Sequence, residues 1–225
     1  MPKINPPLRC MVIHKTGENG CLPKMQYMNN QNLLIVFAKN LEISSVKTRI
    51  AKTTGNEVAL KIYNSLLRHT LEQCKPLRNC TLHIYYTNHT THTSESDFMK
   101  KKMVQQGNSL GERMKNAFEK SFQHGFKKIV LIGSDCPEIK TQHIEKAFHF
   151  LATYPTVIGP ATDGGYYLLG LNTFYPELFT NMPWSTHSLT QKTKQLLEEK
   201  KIPFFLLEEL SDVDTEEDAK RFNLL

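Results

Sequence analysis

The feature that most constrains the fold of this chain is the segment KKIVLIGSDCP, residues 127–137. Its apolar run, residues 129–132, is rich in β-branched side chains, which is typical of a strand buried on both faces of a sheet. Gly133 ends the run, Asp135 follows at once, and Pro137 prevents further strand pairing. Because open α/β sheets bind ligands at the carboxyl ends of their strands, Asp135 is a candidate ligand-site acid. The alternative is that Asp135 only caps the helix that follows.

Strand-like and helix-like segments alternate over most of the chain. Short apolar or β-branched runs predict further strands at residues 33–38, 81–87, 100–106, 156–159, 166–171 and 204–207. Apolar residues at helical spacing predict helices over residues 56–75, from Ser109 to Gly125, from a Thr141 cap to Leu151, over 187–200, and after a Thr215 cap. Residues 39–50 and 88–98 are polar and predict loops. This order predicts one α/β domain with a parallel or mixed sheet and helices on both faces.

Composition limits the class of protein. The chain has 225 residues, of which 40% are hydrophobic, and this is enough for one sizeable core. No apolar run reaches the roughly 18 residues of a membrane span, so no membrane-spanning segment is predicted. The formal charge of +6 comes from scattered side chains without an aromatic-basic motif, so nucleic acid is not a predicted partner. The five cysteines form no CxxC pair, which indicates reduced thiols and a cytoplasmic location.

Residues 1–31 differ in composition from the rest. They contain several prolines and glycines, no sustained hydrophobic period, and no continuous apolar segment of the kind found in signal peptides. We therefore predict a poorly ordered N-terminal extension over residues 1–31 and a single domain over residues 32–225. Met25 and Met28 are alternative start residues, because Met28 lies five residues before the first predicted strand.

Charged residues cluster where the predicted strands end. The groups are Lys47 with Arg49, Asp135, Asp163, and Asp212 with Asp214. Carboxylates in such places suit a hard divalent cation bound to a phosphate, because the cation takes oxygen ligands. Nearby Lys and Arg side chains neutralise the remaining phosphate charge. The pattern therefore indicates a site for a metal ion and a phosphorylated ligand.

Each of these groups also has a simpler interpretation. Asp163 begins the sequence Asp-Gly-Gly, which is typical of a turn. Asp212 and Asp214 precede a predicted helix and interact favourably with its dipole. Lys47 and Arg49 are also consistent with a solvated face of the protein.

Other types of site have less support. His187 is more typical of a loop or core histidine than of a metal ligand. Cys136 has no base near it in the sequence, so a cysteine nucleophile is not predicted. The chain contains no GxGxxG, GxxxxGK[ST] or GxSxG segment, which argues against a dinucleotide fold, a P-loop and a hydrolase elbow.

Six ordered segments carry a resemblance to a known family. They are VKTRI (46–50), SLGERMKNAF (109–118), VLIGSDCP (130–137), GPATDGGYYLLGL (159–171), PWST (183–186) and DVDTEED (212–218). Together they resemble the bacterial selenodomain-associated transferase family over residues 32–222. That family has a glycosyltransferase-A-like fold, similar to nucleotide-sugar glycosyltransferases and to small nucleotidyltransferases. The resemblance therefore implies a glycosyltransferase-A (nucleotide-diphospho-sugar transferase) fold for this chain, and it is less specific for the reaction.

The resemblance also implies roles for individual residues. The implied nucleotide-binding residues are Ala38, Lys39, Lys47, Arg49 and Ser134. The implied substrate-binding residues are Gly164, Gly165, Tyr166 and Trp184. Asp135 and Asp163 are the implied catalytic residues, and Asp135 and Asp214 are the implied ligands of Mg²⁺ or Mn²⁺.

The loop after the first strand departs from the family pattern. The family usually has Pro-Gly-Lys before Val-Lys-Thr-Arg, whereas this chain has Ile43, Ser44 and Ser45. Glycine lets the backbone approach a phosphate more closely than serine does. The leading prediction is a metal-dependent transferase that uses a nucleotide or nucleotide-sugar donor, for glycosyl or nucleotidyl transfer. The alternative is a non-catalytic protein that binds a nucleotide or a partner through a degenerate loop.

Overall fold

A computed structural model describes residues 31–89 and 100–225 of the chain. Within these ranges the strands are β1 (Asn32–Ala38), β2 (Thr81–Tyr86), β3 (Lys100–Val104), β4 (Lys128–Ile132), β5 (Thr156–Pro160), β6 (Tyr166–Leu171) and β7 (Phe204–Leu206). The helices are α1 (Thr48–Thr54), α2 (Asn56–Cys74), α3 (Leu110–Gln123), α4 (Thr141–Phe150), α5 (Leu189–Glu199) and α6 (Glu216–Arg221). A short 3₁₀ helix covers Pro176–Phe179.

Within the described residues the seven strands form one mixed sheet in the order β3-β2-β1-β4-β6-β5-β7. β4 lies at the centre, and its neighbour β1 pairs in parallel with both β2 and β4. β6 runs antiparallel to both of its neighbours, β4 and β5. The carboxyl ends of β1, β4, β5 and β7 therefore meet at one edge of the sheet, where α/β folds bind ligands.

The central strands are buried on both faces, as their continuous apolar runs predict. Leu34 and Val36 of β1 pack in one core cluster with Tyr63 of α2. Leu33 and Ile35 face the other way, into a cluster that includes Phe118 of α3. The alternation of strand side chains thus joins a helical layer to each face of the sheet, and the predicted α/β fold is confirmed.

One predicted loop contains a helix. We predicted a polar loop over residues 39–50, but α1 begins at Thr48. The reason is tertiary packing: Val46 and Ile50 are both buried, and Ile50 joins a third cluster with Val213 and Ala219. α1 is therefore held by contacts with the C-terminal part of the chain.

Two predicted caps have different outcomes. Ser109 caps α3, and its side chain accepts a hydrogen bond from Glu112 N at 3.2 Å. Thr141 is not the cap of α4: the cap residue is Lys140. The hydroxyl of Thr141 instead donates to the carbonyl oxygen of Gln73 in α2, at 2.8 Å.

Two sequence predictions fall largely or partly outside the described residues. The predicted extension over residues 1–31 lies outside them except for Gln31, whose carbonyl oxygen accepts hydrogen bonds from Lys127 N and Lys128 N at the start of β4. The predicted loop over residues 88–98 is described only at residues 88–89, which are not in a strand. In the described part of the chain, no helix is both long and apolar enough to cross a membrane.

Candidate functional site

Three charged side chains from separate parts of the chain meet at the carboxyl edge of the sheet. Lys47 lies after β1, Asp135 after β4, and Asp214 after β7. The Nζ atom of Lys47 lies 3.1 Å from Asp135 Oδ2 and 3.2 Å from Asp214 Oδ1. Arg49 is at the periphery of this group, with Nη1 3.8 Å from Asp214 Oδ2. The parallel strands thus bring together the residues that the sequence predicted for the phosphate and the metal.

Backbone hydrogen bonds fix the positions of the loops that carry these side chains. Val213 N donates to the carbonyl oxygen of Asp135 at 3.0 Å, so the loops after β4 and β7 are in direct contact. Ser211 N donates to Glu138 Oε2 at 2.7 Å, which adds a second contact between the same loops. The relative placement of Asp135 and Asp214 is therefore set by the backbone as well as by Lys47.

Lys47 is a buried cation. Its side chain is 3% exposed, whereas that of Arg49 is 71% exposed. Burial by itself lowers the pKa of Lys47, but the carboxylates of Asp135 and Asp214 raise it by more in sum, and the pKa lies above its ordinary value. Lys47 is therefore charged at neutral pH. The solvated-face interpretation is wrong for Lys47 and agrees with the exposure of Arg49.

Asp212 adds a further carboxylate to this group. Burial, together with the charges of Asp135, Asp163 and Asp214, raises the pKa of Asp212 to about 7, with Lys47 acting in the opposite direction. Four carboxylates thus interact across one site that contains two cationic side chains. Carboxyl groups with strongly raised pKa values are typical of functional sites.

The simpler interpretation of Asp135 as a helix cap is wrong. α4 begins at Thr141, six residues later, and Lys140 is its cap residue. Asp135 instead presents one carboxylate oxygen to Lys47, while its other oxygen, Oδ1, is buried without a hydrogen-bond partner among the described residues. A buried, unpaired carboxylate oxygen is costly unless a ligand satisfies it.

Asp214 directly precedes the cap of α6 and is not in its first turn. α6 is capped by Thr215, whose hydroxyl oxygen accepts from Asp218 N at 3.2 Å, and Asp218 accepts from Thr215 N at 2.9 Å. The side chain of Asp214 is directed to Lys47 and Arg49 instead.

Two of the predicted nucleotide-binding residues, Lys39 and Ser134, are linked through Tyr63 of α2, which sequence reasoning missed as a site residue. The Tyr63 hydroxyl accepts a hydrogen bond from Lys39 N at 2.6 Å and lies 2.9 Å from Ser134 Oγ. Burial raises the pKa of Tyr63 to about 12, so the hydroxyl keeps its proton. Since Lys39 follows β1 and Ser134 follows β4, one side chain connects both loops. The sequence did contain a signal for this role. Tyr63 lies on the apolar face of a predicted helix, and a tyrosine hydroxyl that is buried in this way needs a hydrogen-bond partner.

Two further polar residues hold the end of β1. Gln105 is buried after β3, and its Nε2 donates to the carbonyl oxygens of Ala38 at 3.1 Å and Tyr85 at 3.0 Å. Asn40 is buried, and its Oδ1 accepts from Asn88 N at 2.9 Å. Their local sequence has no motif that distinguishes them from ordinary loop residues, so sequence reasoning did not identify them.

The predicted acceptor-side residues form a tight turn between β5 and β6. Asp163 is exposed, and its Oδ1 accepts from Gly165 N at 2.8 Å. Gly164 has a φ of +88°, and a Cβ atom at this position would lie 1.9 Å from the carbonyl oxygen of His187. The turn interpretation of Asp163 is therefore confirmed, and the turn leaves its second carboxylate oxygen for other contacts.

Trp184 and Tyr166 pack against each other beside this turn. Their ring centroids are 6.2 Å apart, in an edge-on arrangement. A Cβ atom on Gly111, at the start of α3, would lie 2.2 Å from Trp184 Nε1, so the indole lies directly on that helix. The hydroxyl of Tyr166 is buried and has no hydrogen-bond partner among the described residues. The two rings thus pack together next to the β5–β6 turn.

The remaining candidates agree with the sequence interpretation. His187 is exposed and lies in the loop before α5. Cys136 is buried, and burial raises the pKa of its thiol to about 12, so the thiol stays protonated and is a poor nucleophile.

The donor set of the site fits Mg²⁺ or Mn²⁺. These ions prefer oxygen ligands and are commonly bound by one or two carboxylates together with substrate phosphates. Asp135 and Asp214 supply two such carboxylates, and the buried Asp135 Oδ1 is an unused ligand atom. Within residues 31–89 and 100–225, no three acidic, histidine or cysteine side chains are arranged to hold an ion by themselves.

Two surface cavities lie away from the charged group. One, of about 380 Å³, lies between β3 and α3 and includes Lys101 and Lys120. The other, of about 400 Å³, lies beside α5 and includes Asn181 and Gln191. Neither is lined by a residue that the sequence predicted for the site.

Sequence comparison identifies the family. Residues 70–186 match the family described as uncharacterized proteins conserved in bacteria, DUF2064. The chain belongs to this family. The match does not carry the selenodomain-associated name, so that part of the resemblance stays a prediction. No curated protein matches the chain significantly.

Comparison with solved structures supports the fold of this DUF2064 protein. A protein of Desulfovibrio desulfuricans G20, provisionally named a nucleotide-diphospho-sugar transferase, is 32% identical with a TM-score of 0.74, over 82% of this chain and 83% of that one. The predicted nucleotide-diphospho-sugar transferase fold is confirmed.

Two more distant structures show the same fold. CMP:2-keto-3-deoxy-manno-octonic acid synthetase complexed with CTP is 11% identical with a TM-score of 0.52, over 85% of this chain and 96% of that one. Rv0371c of Mycobacterium tuberculosis H37Rv, solved in complex with manganese, is 11% identical with a TM-score of 0.53, over 84% of this chain and 97% of that one.

Proposed function

We propose that this DUF2064 protein is a metal-dependent transferase that acts on a nucleotide-activated donor. The observation that carries the proposal is the meeting of Lys47, Asp135 and Asp214 at one edge of the sheet, with a buried carboxylate oxygen of Asp135 left unpaired. Anionic and cationic groups in contact at the carboxyl ends of strands suit a phosphate ester and its cation. The group transferred is either glycosyl or nucleotidyl.

The donor binds, in this proposal, over the loops after β1 and β4. The ammonium of Lys47 and the exposed guanidinium of Arg49 contact the phosphates, and the Tyr63 hydroxyl holds Lys39 and Ser134 in place beside them. Asp135 and Asp214 hold Mg²⁺ or Mn²⁺. When bound, the ion neutralises the charge that develops on the leaving phosphate. Electrostatic stabilisation of this kind is usually the largest contribution to catalysis of such transfers.

The acceptor binds on the side of the β5–β6 turn. Asp163 is exposed there, and its Oδ2 is left to contact an acceptor hydroxyl while Oδ1 accepts from Gly165 N. Gly164 and Gly165 allow the acceptor to approach the backbone, and Trp184 with Tyr166 forms the wall behind it. Asp163 is then the candidate base that takes the acceptor proton.

The buried cysteines of the protein fit a cytoplasmic location. Cys74, Cys80 and Cys136 are all buried. Buried reduced thiols are usual in proteins of reducing compartments. The proposed partners are small molecules, a nucleotide or nucleotide-sugar donor and an acceptor.

A turnover screen tests the proposal. The full chain is incubated with nucleotide sugars and, separately, nucleoside triphosphates, with a mixture of phosphorylated and hydroxylated acceptors, and with Mg²⁺, Mn²⁺ or chelator. We expect release of nucleoside diphosphate or pyrophosphate that requires the metal and falls at least about 100-fold in Asp135→Asn, since loss of a ligand charge costs several kcal/mol in the transition state. Turnover that survives both chelator and the substitution would contradict the metal site.

One observation favours a second candidate, a non-catalytic nucleotide-binding protein. In the loop after β1, Glu42 N donates to Asn40 O at 2.9 Å and Ser45 N donates to Glu42 O at 3.2 Å. These amides are used within the loop and are not directed at a phosphate. Metal-dependent nucleotide binding by titration calorimetry, without turnover in any arm of the screen, would support this candidate.

A further inference from the structure

Lys47 occupies the space between the two carboxylates that we propose as metal ligands. Its Nζ is 3.1 Å from Asp135 Oδ2 and 3.2 Å from Asp214 Oδ1, and the side chain is almost fully buried. The carboxylates of Asp135 and Asp214 are 30% and 42% exposed. The buried ammonium therefore neutralises two acids that remain accessible from solvent.

A divalent cation and this ammonium compete for the same two carboxylates. An ion bound to Asp135 and Asp214 would lie within a few ångströms of Nζ, where repulsion between positive charges is strong in a partly buried site. Asp135 Oδ1 is buried and lacks a hydrogen-bond partner in the described part of the chain, and Asp214 Oδ2 has a contact of 3.8 Å with Arg49 Nη1, whereas the other oxygen of each acid faces Lys47 Nζ. The paired oxygens become available only when the ammonium moves away.

The backbone of Lys47 is fixed, so any such movement belongs to its side chain. Lys47 adopts a left-handed conformation with φ 45° and ψ 48°, which is uncommon for a residue with a side chain and is typical of functional positions. Val46 beside it is buried, and the Lys47 carbonyl oxygen accepts from Ala51 N at 2.9 Å in the first turn of α1. The flexible methylene chain is the part that can redirect the ammonium.

Arg49 provides the contrast within the same loop. Its side chain is 71% exposed and its one contact with the acids is long, at 3.8 Å. Arg49 attracts anions without neutralising the acids closely, since exposed ion pairs are weak. Lys47 therefore competes with a metal ion for the two acids, whereas Arg49, two residues away, does not.

We propose that Lys47 is an internal counter-ion that blocks the metal position in the free protein and is exchanged for it when the donor phosphates attract the ammonium. Metal and donor then bind with positive coupling, and the metal alone binds weakly. The exchange driven by donor phosphates rests on the proposed function, whereas the competition between Lys47 and a cation does not depend on it.

The test is binding of Mn²⁺ alone, measured by electron paramagnetic resonance of free Mn²⁺ and by titration calorimetry. Wild type is compared with Lys47→Met, and Arg49→Met is the matched control. We expect Lys47→Met to bind Mn²⁺ about ten-fold more tightly than wild type or better, because the acids lose their counter-ion, and Arg49→Met to stay within about two-fold. Equal affinity in the three proteins, or weaker binding by Lys47→Met, would overturn the proposal.

A second variant covers the case in which Lys47→Met does not fold. Lys47→Asn keeps a residue type that tolerates the left-handed conformation and also removes the charge, so its Mn²⁺ affinity is read in the same way. Circular dichroism identifies which variants are folded before titration.

The coupling between metal and donor is measured on wild type and on Lys47→Met, with ADP, CDP, GDP and UDP as the nucleotide probes. We expect at least one of them to bind with Mn²⁺ more tightly than the separate affinities predict, and this coupling to be smaller in Lys47→Met. If no nucleotide binds, the proposed function fails, while the Mn²⁺ comparison still decides whether Lys47 blocks the metal position. If a nucleotide binds with equal coupling in both proteins, the exchange is contradicted and the proposed function is not.

Discussion

The loop after β1 and the turn after β5 lie at the same edge of the sheet but are held in different ways. The first, residues 39–47, is the loop that we propose for the donor, here called the donor-side loop, and it ends in a buried lysine that pairs with two acids from distant parts of the chain. The second, residues 161–165, is the turn that we propose for the acceptor, here called the acceptor-side turn, and it is closed by hydrogen bonds within it and by one from Thr190 N, in the first turn of α5, to Gly164 O. Buried ion pairs of Lys47 distinguish the first, whereas local hydrogen bonds and a close steric fit at Gly164 distinguish the second.

The difference is visible in which residues adopt positive φ. In the donor-side loop these are Ser44 at 68° and Lys47 at 45°, neither of which is glycine. In the acceptor-side turn it is Gly164, at 88°, beneath the carbonyl of His187. A side chain in a left-handed conformation is maintained only when other contacts over-determine it. The left-handed conformation of Lys47 therefore depends on its contacts with distant parts of the chain, whereas Gly164 adopts its positive φ at little cost.

The largest expected effect is on the acceptor-side turn. Gly164→Ala combines an unfavourable φ with a backbone clash at 1.9 Å, so we expect the free energy of unfolding to fall by about 3 kcal/mol or more. Gly125→Ala is the matched control, because Gly125 has a similar φ of +91° with no atom within 4 Å of the added Cβ. Gly125→Ala should lower the free energy of unfolding by only about 1–2 kcal/mol. Urea denaturation measures both, and equal losses would show that the turn is not sterically fixed.

The donor side is tested by removing one hydroxyl. Tyr63→Phe leaves Ser134 Oγ and Lys39 N without this partner in a buried place, so we expect a loss of about 1–3 kcal/mol in stability and weaker nucleotide binding. Tyr166→Phe is the control from the acceptor side, since its buried hydroxyl has no partner among the described residues. That change should be neutral or slightly stabilising. A larger destabilisation by Tyr166→Phe than by Tyr63→Phe would contradict the role that we assign to the Tyr63 hydroxyl.

The smallest effect on stability is expected at Asp163. Asparagine keeps the oxygen that accepts from Gly165 N, so Asp163→Asn should change the free energy of unfolding by no more than a few tenths of a kcal/mol. Turnover should nevertheless fall, because the amide cannot accept an acceptor proton, while donor affinity stays the same. Steady-state kinetics and donor titration separate the two. Loss of donor affinity with unchanged turnover at saturation would place Asp163 on the donor side.

The sequence predicted the sheet well because its strands are continuous apolar runs. The segments 33–38, 129–132 and 166–171 could not be helices of useful length, and their burial on both faces follows directly from composition. The motifs at the strand ends also predicted where the charged residues converge, since parallel strands share one carboxyl edge. The order of β5, β6 and β7, with β6 antiparallel, was left open as a parallel or mixed sheet, because pairing partners are not visible in one sequence.

The internal arrangement of the site was less accessible from sequence. Lys47 looks like an ordinary loop cation, and its burial accompanies the packing of Ile50 against Val213 and Ala219, more than 150 positions away. Tyr63 looks like one more apolar residue of an amphipathic helix, and its hydroxyl acquires a role only when β1 and β4 are placed side by side. Long-range contacts decide both, and local patterns do not encode them.

The central claim is that Asp135 holds a divalent cation together with the phosphates of a nucleotide donor. Titration calorimetry of ADP, CDP, GDP and UDP, with Mn²⁺ and with chelator, on wild type and Asp135→Asn tests it most directly. We expect one nucleotide to bind wild type in a metal-dependent manner, and that binding to fall at least about ten-fold in a folded Asp135→Asn protein. Equal binding in the two proteins, independent of metal, would contradict the claim.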